Sequence, residues 1–339
     1  MDRDPFLRRG GRSVFSEPAG PSPAVCRRIA FLPITEYRGL SMGDCVLPRE
    51  CGGQSWPESK PPRRGDCGLM LVARVCVLSA AALASAAAEE TTSLLRSPGW
   101  TTASLLASPF ATQAAVADGD HVYAISNTVV AQYDRRTGRL VAQGSAADAK
   151  HLNSGFLHEG RIYAAHSNYP AEPHESDIRV FDPATGSLSL FHRFEDPPGS
   201  LVWCIRKGGN WWCCFAHYGP ANARTVLIEY ADGGFERELR RLTFPSEVVA
   251  DWDGMSGSGG IWDGDTLLVS HHHFPVLYRL AVPETGNELV LDAAHFCPFP
   301  GQGFAADPLT GGLVGIDRFN QRLVFAVPES AASSGRLSE

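Results

Sequence analysis

From Ala111 onward, short β-branched and aromatic runs alternate with Gly, Asp, Asn and Pro turns, and no stretch keeps the 3.6-residue apolar period of a helix. The pattern predicts an all-β fold. It also repeats: strand, turn, strand, polar loop, strand, turn, strand. The first copy reads "QAAVADGDHVYAISNTVVAQYDRRTGRLVAQGS" and the second "SGFLHEGRIYAAHSNYPAEPHESDIRVFDPATGSLSLFHRF", and both carry a YD or FD pair followed by a TG turn. Further copies start at Ser200 and Ser258, and a fifth, "GQGFAADPLTGGLVGIDRFNQRLVFAVPE", stops after three strands. Its missing fourth strand is expected from "ASLLASPF", Ala103–Phe110, which resembles the end of the fourth copy. Four-stranded units of this length, arranged radially, predict a five-bladed β-propeller over 103–329 closed by an N-terminal strand, followed by a disordered tail at 330–339. Residues 91–109 leave room for a sixth blade.

The N-terminal part differs in kind. Residues 1–69 are rich in Pro, Gly, Arg and Ser with weak hydrophobic periodicity, and read as a disordered extension ahead of the true translation start. Met70–Glu90 then gives Arg74, an apolar run from Val75, and small residues Ala84–Ala88 before two acids. That is a secretory signal layout, with 70–88 as signal peptide and Met70 as start. The run is short and Ala-rich for a bilayer span, so the expected product has no stable membrane span after processing and is secreted or periplasmic. Export permits disulfides among the cysteines beyond the signal, Cys204, Cys213, Cys214 and Cys297. Cys204 facing one of the pair across a hairpin, and buried free thiols, both remain open.

Composition narrows the partners. The chain of 339 residues is 44% hydrophobic and 20% charged, as in a soluble globular protein, with a formal charge of -7. An acidic balance and the lack of a basic block interleaved with aromatics in the repeat region argue against nucleic acid.

Candidate chemistry follows from the repeat. In a propeller the first strand of each blade lines the central channel, and the start of that strand shares a face with the end of the second. Aligning the second strands, to within about one residue, brings Ser126, His166, His217, His271 and Asp317 into register. His166, His217, His271 and Asp317 would converge as ligands for zinc or another divalent metal, which explains one histidine of "LLVSHHHFPVLY" and leaves His272 and His273 pointing elsewhere. First-strand starts add His151 as a proton carrier, with Asn153, Ser258 and Gln302, alongside Ser126, as binders of a small polar molecule or glycan. "GMSGSGG" is no nucleophile elbow, because Ser258 stands where a glycine is required. Asp251, Asp253 and Asp317 with Trp203, Trp252 and Trp262 form a minority glycosidase reading. Asp134 and Asp182, ahead of their TG turns, read as turn residues.

With blade turns such as "VFDPATGSL" and "AADPLTGGLVGID", the repeat region resembles the broad propeller group of glutamine cyclotransferases, gluconolactonase-like hydrolases and NHL or YWTD modules. That resemblance implies either a metal-dependent hydrolase or cyclase, or a non-enzymatic propeller scaffold binding protein or glycan. No early Glu-Gly-Pro segment of the lactonase kind is present, and no catalytic residue carries over from the group.

Overall fold

The computed structural model describes residues 94–329; the N-terminal extension, the signal-like segment and the C-terminal tail lie outside them. Two strands come first, β1 (Arg96–Ser97) and β2 (Trp100–Ala107). Four complete blades follow in chain order. The first holds β3 (Ala114–Ala117), β4 (His121–Ile125), β5 (Val129–Asp134) and β6 (Leu140–Ser145). The second holds β7 (His151–His158), β8 (Arg161–Ser167), β9 (Ser176–Asp182) and β10 (Ser187–Phe194). The third holds β11 (Ser200–Lys207), β12 (Asn210–Ala216), β13 (Val226–Tyr230) and β14 (Glu238–Thr243), and is followed by a short helix α1 (Ser246–Asp251). The fourth holds β15 (Gly259–Asp263), β16 (Thr266–Ser270), β17 (Val276–Ala281) and β18 (Val290–Phe296). The last blade has only β19 (Ala305–Asp307), β20 (Gly312–Asp317) and β21 (Arg322–Pro328) from the C-terminal part.

Its outer strand is β2, antiparallel to β21 with Trp100 opposite Pro328 and Ala107 opposite Arg322. The chain is thus a five-bladed β-propeller fastened by an N-terminal strand, which begins at Trp100, three residues before the expected Ala103. The described residues 94–109 supply no sixth blade: β1 instead adds a parallel fifth strand to the outer edge of blade four, Arg96 opposite Ala294.

Burial explains why the sequence periods differ across a blade. Inner strands are covered on both faces, so β3 is the wholly buried run AAVA, whereas outer β6 keeps most of its side chains in solvent. Small residues let adjacent blades approach: the Trp203 ring lies flat where a side chain on Gly260 would have to sit, and its indole N–H donates to the Gly257 carbonyl at 3.2 Å.

The D-x-x-T-G turns recur as three copies of one geometry. Gly138, Gly186 and Gly311 have φ of +69°, +68° and +68°. Each donates its N–H to the carbonyl of the turn's leading aspartate, at 2.8, 2.8 and 2.9 Å. Only glycine adopts that left-handed position without cost. The Asp134 and Asp182 carboxylates accept backbone N–H groups within their turns, as the sequence reading expects.

Cys204 lies directly across the hairpin from Cys213, yet all four described cysteines are buried free thiols, and burial pushes each thiol pKa up. Among the described residues no helix is long and apolar enough to cross a membrane.

Candidate functional site

The five inner strands start around one axial cavity of about 150 Å³. All five blades contribute to its wall: Gln113 from the first; His151, Asn153 and Ser154 from the second; Val202 and Tyr218 from the third; Ser258 and His272 from the fourth; Gln302 and Arg318 from the fifth. Tyr169, in the loop after β8, and Met255, after α1, complete it.

Of the residues expected to bind a polar ligand, Asn153, Ser258 and Gln302 line this cavity, and so does His151, the expected proton carrier. The reason is local. Each sits at or next to the start of an inner strand, where the backbone enters the sheet from the axial face. Ser126 does not join them: its hydroxyl exchanges hydrogen bonds with the backbone of Val129 in the turn after β4.

The expected metal set is distributed differently. His166 Nε2 accepts the Lys150 N–H at 2.8 Å, which puts the ring proton on Nδ1, 3.0 Å from Asp177. His271 Nδ1 accepts the N–H groups of His273 and Phe274, and Nε2 lies 3.1 Å from the Asp251 carbonyl. Asp317 accepts both the backbone and the side-chain N–H groups of Asn320. The His217 ring packs edge-on against His174, 5.7 Å between centres, in a separate depression. Among the described residues no group of three or more His, Cys, Asp or Glu side chains is arranged to hold a metal ion.

The residues that do face the axis lie one position further on. Tyr218 follows His217, His272 follows His271, and Arg318 follows Asp317. Successive side chains of extended backbone point to opposite sides, so an alignment error of one residue exchanges the axial set for the packed one. The triple histidine resolves accordingly: His271 is buried and ties the loop, His272 enters the cavity, and His273 is exposed.

The glycosidase set is committed elsewhere. Both carboxylate oxygens of Asp251 accept from a single Arg96 nitrogen, at 2.6 and 2.8 Å, and one of them also takes the Tyr278 hydroxyl at 2.6 Å. Trp203 and Trp252 are fully buried, and Trp262 carries the Lys207 ammonium over its ring.

Burial sets the electrostatics of the cavity. It pushes the His272 imidazole down to about 3, helped by His273 and Arg318. His151 is lowered first by burial and then by His166 and Arg318. Both rings are therefore neutral at pH 7 and retain one nitrogen as an acceptor. Ser258 Oγ lies 2.6 Å from His272 Nδ1. Asn153 spends its amide N–H groups on the Leu201 carbonyl at 2.8 Å and Ser167 Oγ at 3.4 Å, which leaves Oδ1 without a partner among the described residues. Gln302 Nε2 donates to the His272 carbonyl at 3.0 Å from a backbone held at φ +68°, in the left-handed region. A non-glycine residue kept there at a cavity wall is the kind of strain that surrounding structure maintains at binding sites. The Tyr169 ring sits between those of His151 and Tyr218, tilted against both, with centres 5.7 and 4.8 Å away.

No protein-family model and no curated protein matches the chain. Among solved structures it is similar to a chain of the mitotic checkpoint complex, at 8% identity and a TM-score of 0.36, covering 62% of this chain and 62% of that one. It is also similar to hydrazine synthase of Kuenenia stuttgartiensis, at 11% identity and a TM-score of 0.36, covering 68% and 72%. Likenesses at this level carry no argument about what the chain does.

Proposed function

We propose that the protein is a ligand-binding propeller whose axial cavity takes one compact polar molecule. The observation that supports this most is the convergence of hydrogen-bonding side chains from all five blades on one space, with acceptors left over, among the described residues, at Asn153 and neutral His151. A cavity of about 150 Å³ suits on the order of six to eight non-hydrogen atoms, which favours a small molecule over a glycan chain or peptide. Together with the signal-like segment at 70–88, this reading places a small-molecule binder outside the cytoplasm. N-terminal sequencing of the native protein is expected to start near Glu89; residues from before Met70 would sink the export reading.

A thermal-shift screen of metabolite-sized acids, amides and polyols tests the binding reading. A true ligand raises Tm of the unmodified protein, and the shift shrinks in Asn153→Ala. If no compound shifts Tm, or the shift is the same in Asn153→Ala and Ser258→Ala, the axial cavity is not the binding site.

The 2.6 Å contact between Ser258 and His272 favours a second reading, hydrolysis of a small ester or lactone. Neutral His272 would accept the Ser258 proton as Oγ attacks the carbonyl carbon, then return it to the departing alkoxide; water would release the acid from the serine ester. Of the activities implied by the resemblance at the level of the repeat, it is nearest to lactone hydrolysis. Ser258→Ala abolishing turnover of a hydrolysed ester would support it; undiminished turnover would remove it.

A further inference from the structure

Among the described residues Arg318 is the only cation on the axial wall, and none of them pairs with it. Its half-buried guanidinium makes no hydrogen bond or ion pair with any described residue. Among the described residues no aspartate or glutamate lines the cavity. The nearest carboxylate along the chain, Asp317, is spent on Asn320. His151 and His272, the titratable rings beside it, are held neutral at pH 7, so neither adds charge nor removes it. Elsewhere in this protein, buried or half-buried arginines find partners: Arg96 meets Asp251, Arg135 meets Asp307, Arg179 meets Asp148 and Asp177, and Arg240 donates to the Pro283 carbonyl. Against that habit, an unpaired guanidinium facing a cavity is a charge waiting for a partner, because withdrawing a cation from water costs free energy that only an anion or hydrogen bonds offset.

We infer that the axial cavity takes a small monocarboxylate, its carboxylate held by the Arg318 guanidinium and its polar remainder by Asn153 and Ser258; the inference rests on the axial binding reading above. One fixed positive charge matches one negative charge. A phosphate dianion would be left half-compensated in the same enclosed space. The guanidinium fork matches a carboxylate in two parallel hydrogen bonds. Val202 and Met255 supply an apolar wall for a short carbon chain.

Calorimetric titration of the full chain with lactate, its neutral isostere lactamide, and inorganic phosphate tests this at low ionic strength. Lactate is expected to bind at least tenfold more tightly than lactamide. In Arg318→Gln lactate is expected to weaken by tenfold or more while lactamide is unchanged, and Arg318→Lys is expected to restore part of the difference. Equal binding of lactate and lactamide, or undiminished lactate binding by Arg318→Gln, overturns the carboxylate assignment while leaving the axial binding reading in place. Phosphate binding more tightly than lactate overturns the single-charge argument. No heat with any probe at millimolar concentration overturns the inference, and the broader thermal-shift screen then decides whether the binding reading falls with it. Matching Tm values for the variants and the unmodified protein establish that each variant is folded.

Discussion

At Gln302 two opposed contributions meet in one residue. Its left-handed backbone costs on the order of 1–2 kcal/mol, while its side-chain bond to the His272 carbonyl returns about 1 kcal/mol. Gln302→Gly removes both. Its stability by denaturant titration is therefore expected within about 1 kcal/mol of the unmodified protein, while its affinity for a cavity ligand falls. A loss of several kcal/mol would show that the side chain holds the loop itself. Gly301, next to it, also has positive φ, and a Cβ there would run into the His272 carbonyl. Single residues also mark how far the sequence could be read. His151, Asn153, Ser258 and Gln302 were legible because turns fix where inner strands begin. Tyr218, His272 and Arg318 were not, because a period of two turns an uncertainty of one residue into a choice between opposite faces.

Between elements, the firmest polar tie is Arg135 in the β5–β6 turn with Asp307 at the end of β19, a bidentate pair at 2.6 and 2.8 Å with almost no exposure on either side chain. It clamps blade one to blade five beside the closure. Arg135→Ala leaves a buried carboxylate unpaired and is expected to cost about 3–5 kcal/mol; a cost below about 1 kcal/mol would mean water replaces the guanidinium. Repeats and turns made the blades readable, since each apolar strand is bounded by a glycine or an aspartate with a definite conformational role. Strand β1 was not readable. Two residues carry no period, and its place is set by the ion pair in which one Arg96 nitrogen donates to both carboxylate oxygens of Asp251 on α1, a contact spanning the sequence from residue 96 to 251.

For the whole molecule, acid is the expected weakness. Burial holds His151, His192, His217, His271 and His272 below the ordinary imidazole value. The folded state therefore binds fewer protons than the unfolded chain once pH drops below about 6.5, and stability falls from there downward. Burial alone would raise the Asp177 and Asp307 carboxyls, but hydrogen bonds from His166 and Arg179 with the Arg179 charge at the one, and hydrogen bonds from Arg135 and Thr310 with the Arg135 charge at the other, outweigh it and lower both. Their contribution is present above the ordinary carboxylate value near ~4 and is lost as pH falls through the lowered folded values. Melting temperatures recorded from pH 8 to 3 are expected to decline in two stages, the first beginning near pH 6.5; a flat profile down to pH 5 would contradict the buried-neutral state of the histidines. The ring itself has a consequence in time. Because β2 pairs with β21 and Gly99 accepts a hydrogen bond from the Glu329 N–H, the strand that leaves the ribosome early has no partner until nearly the whole propeller has been made. Synthesis must carry β2 along as an open edge, so ring closure is a late, long-range step, and the growing chain is most exposed to edge-to-edge aggregation just before its last strand emerges.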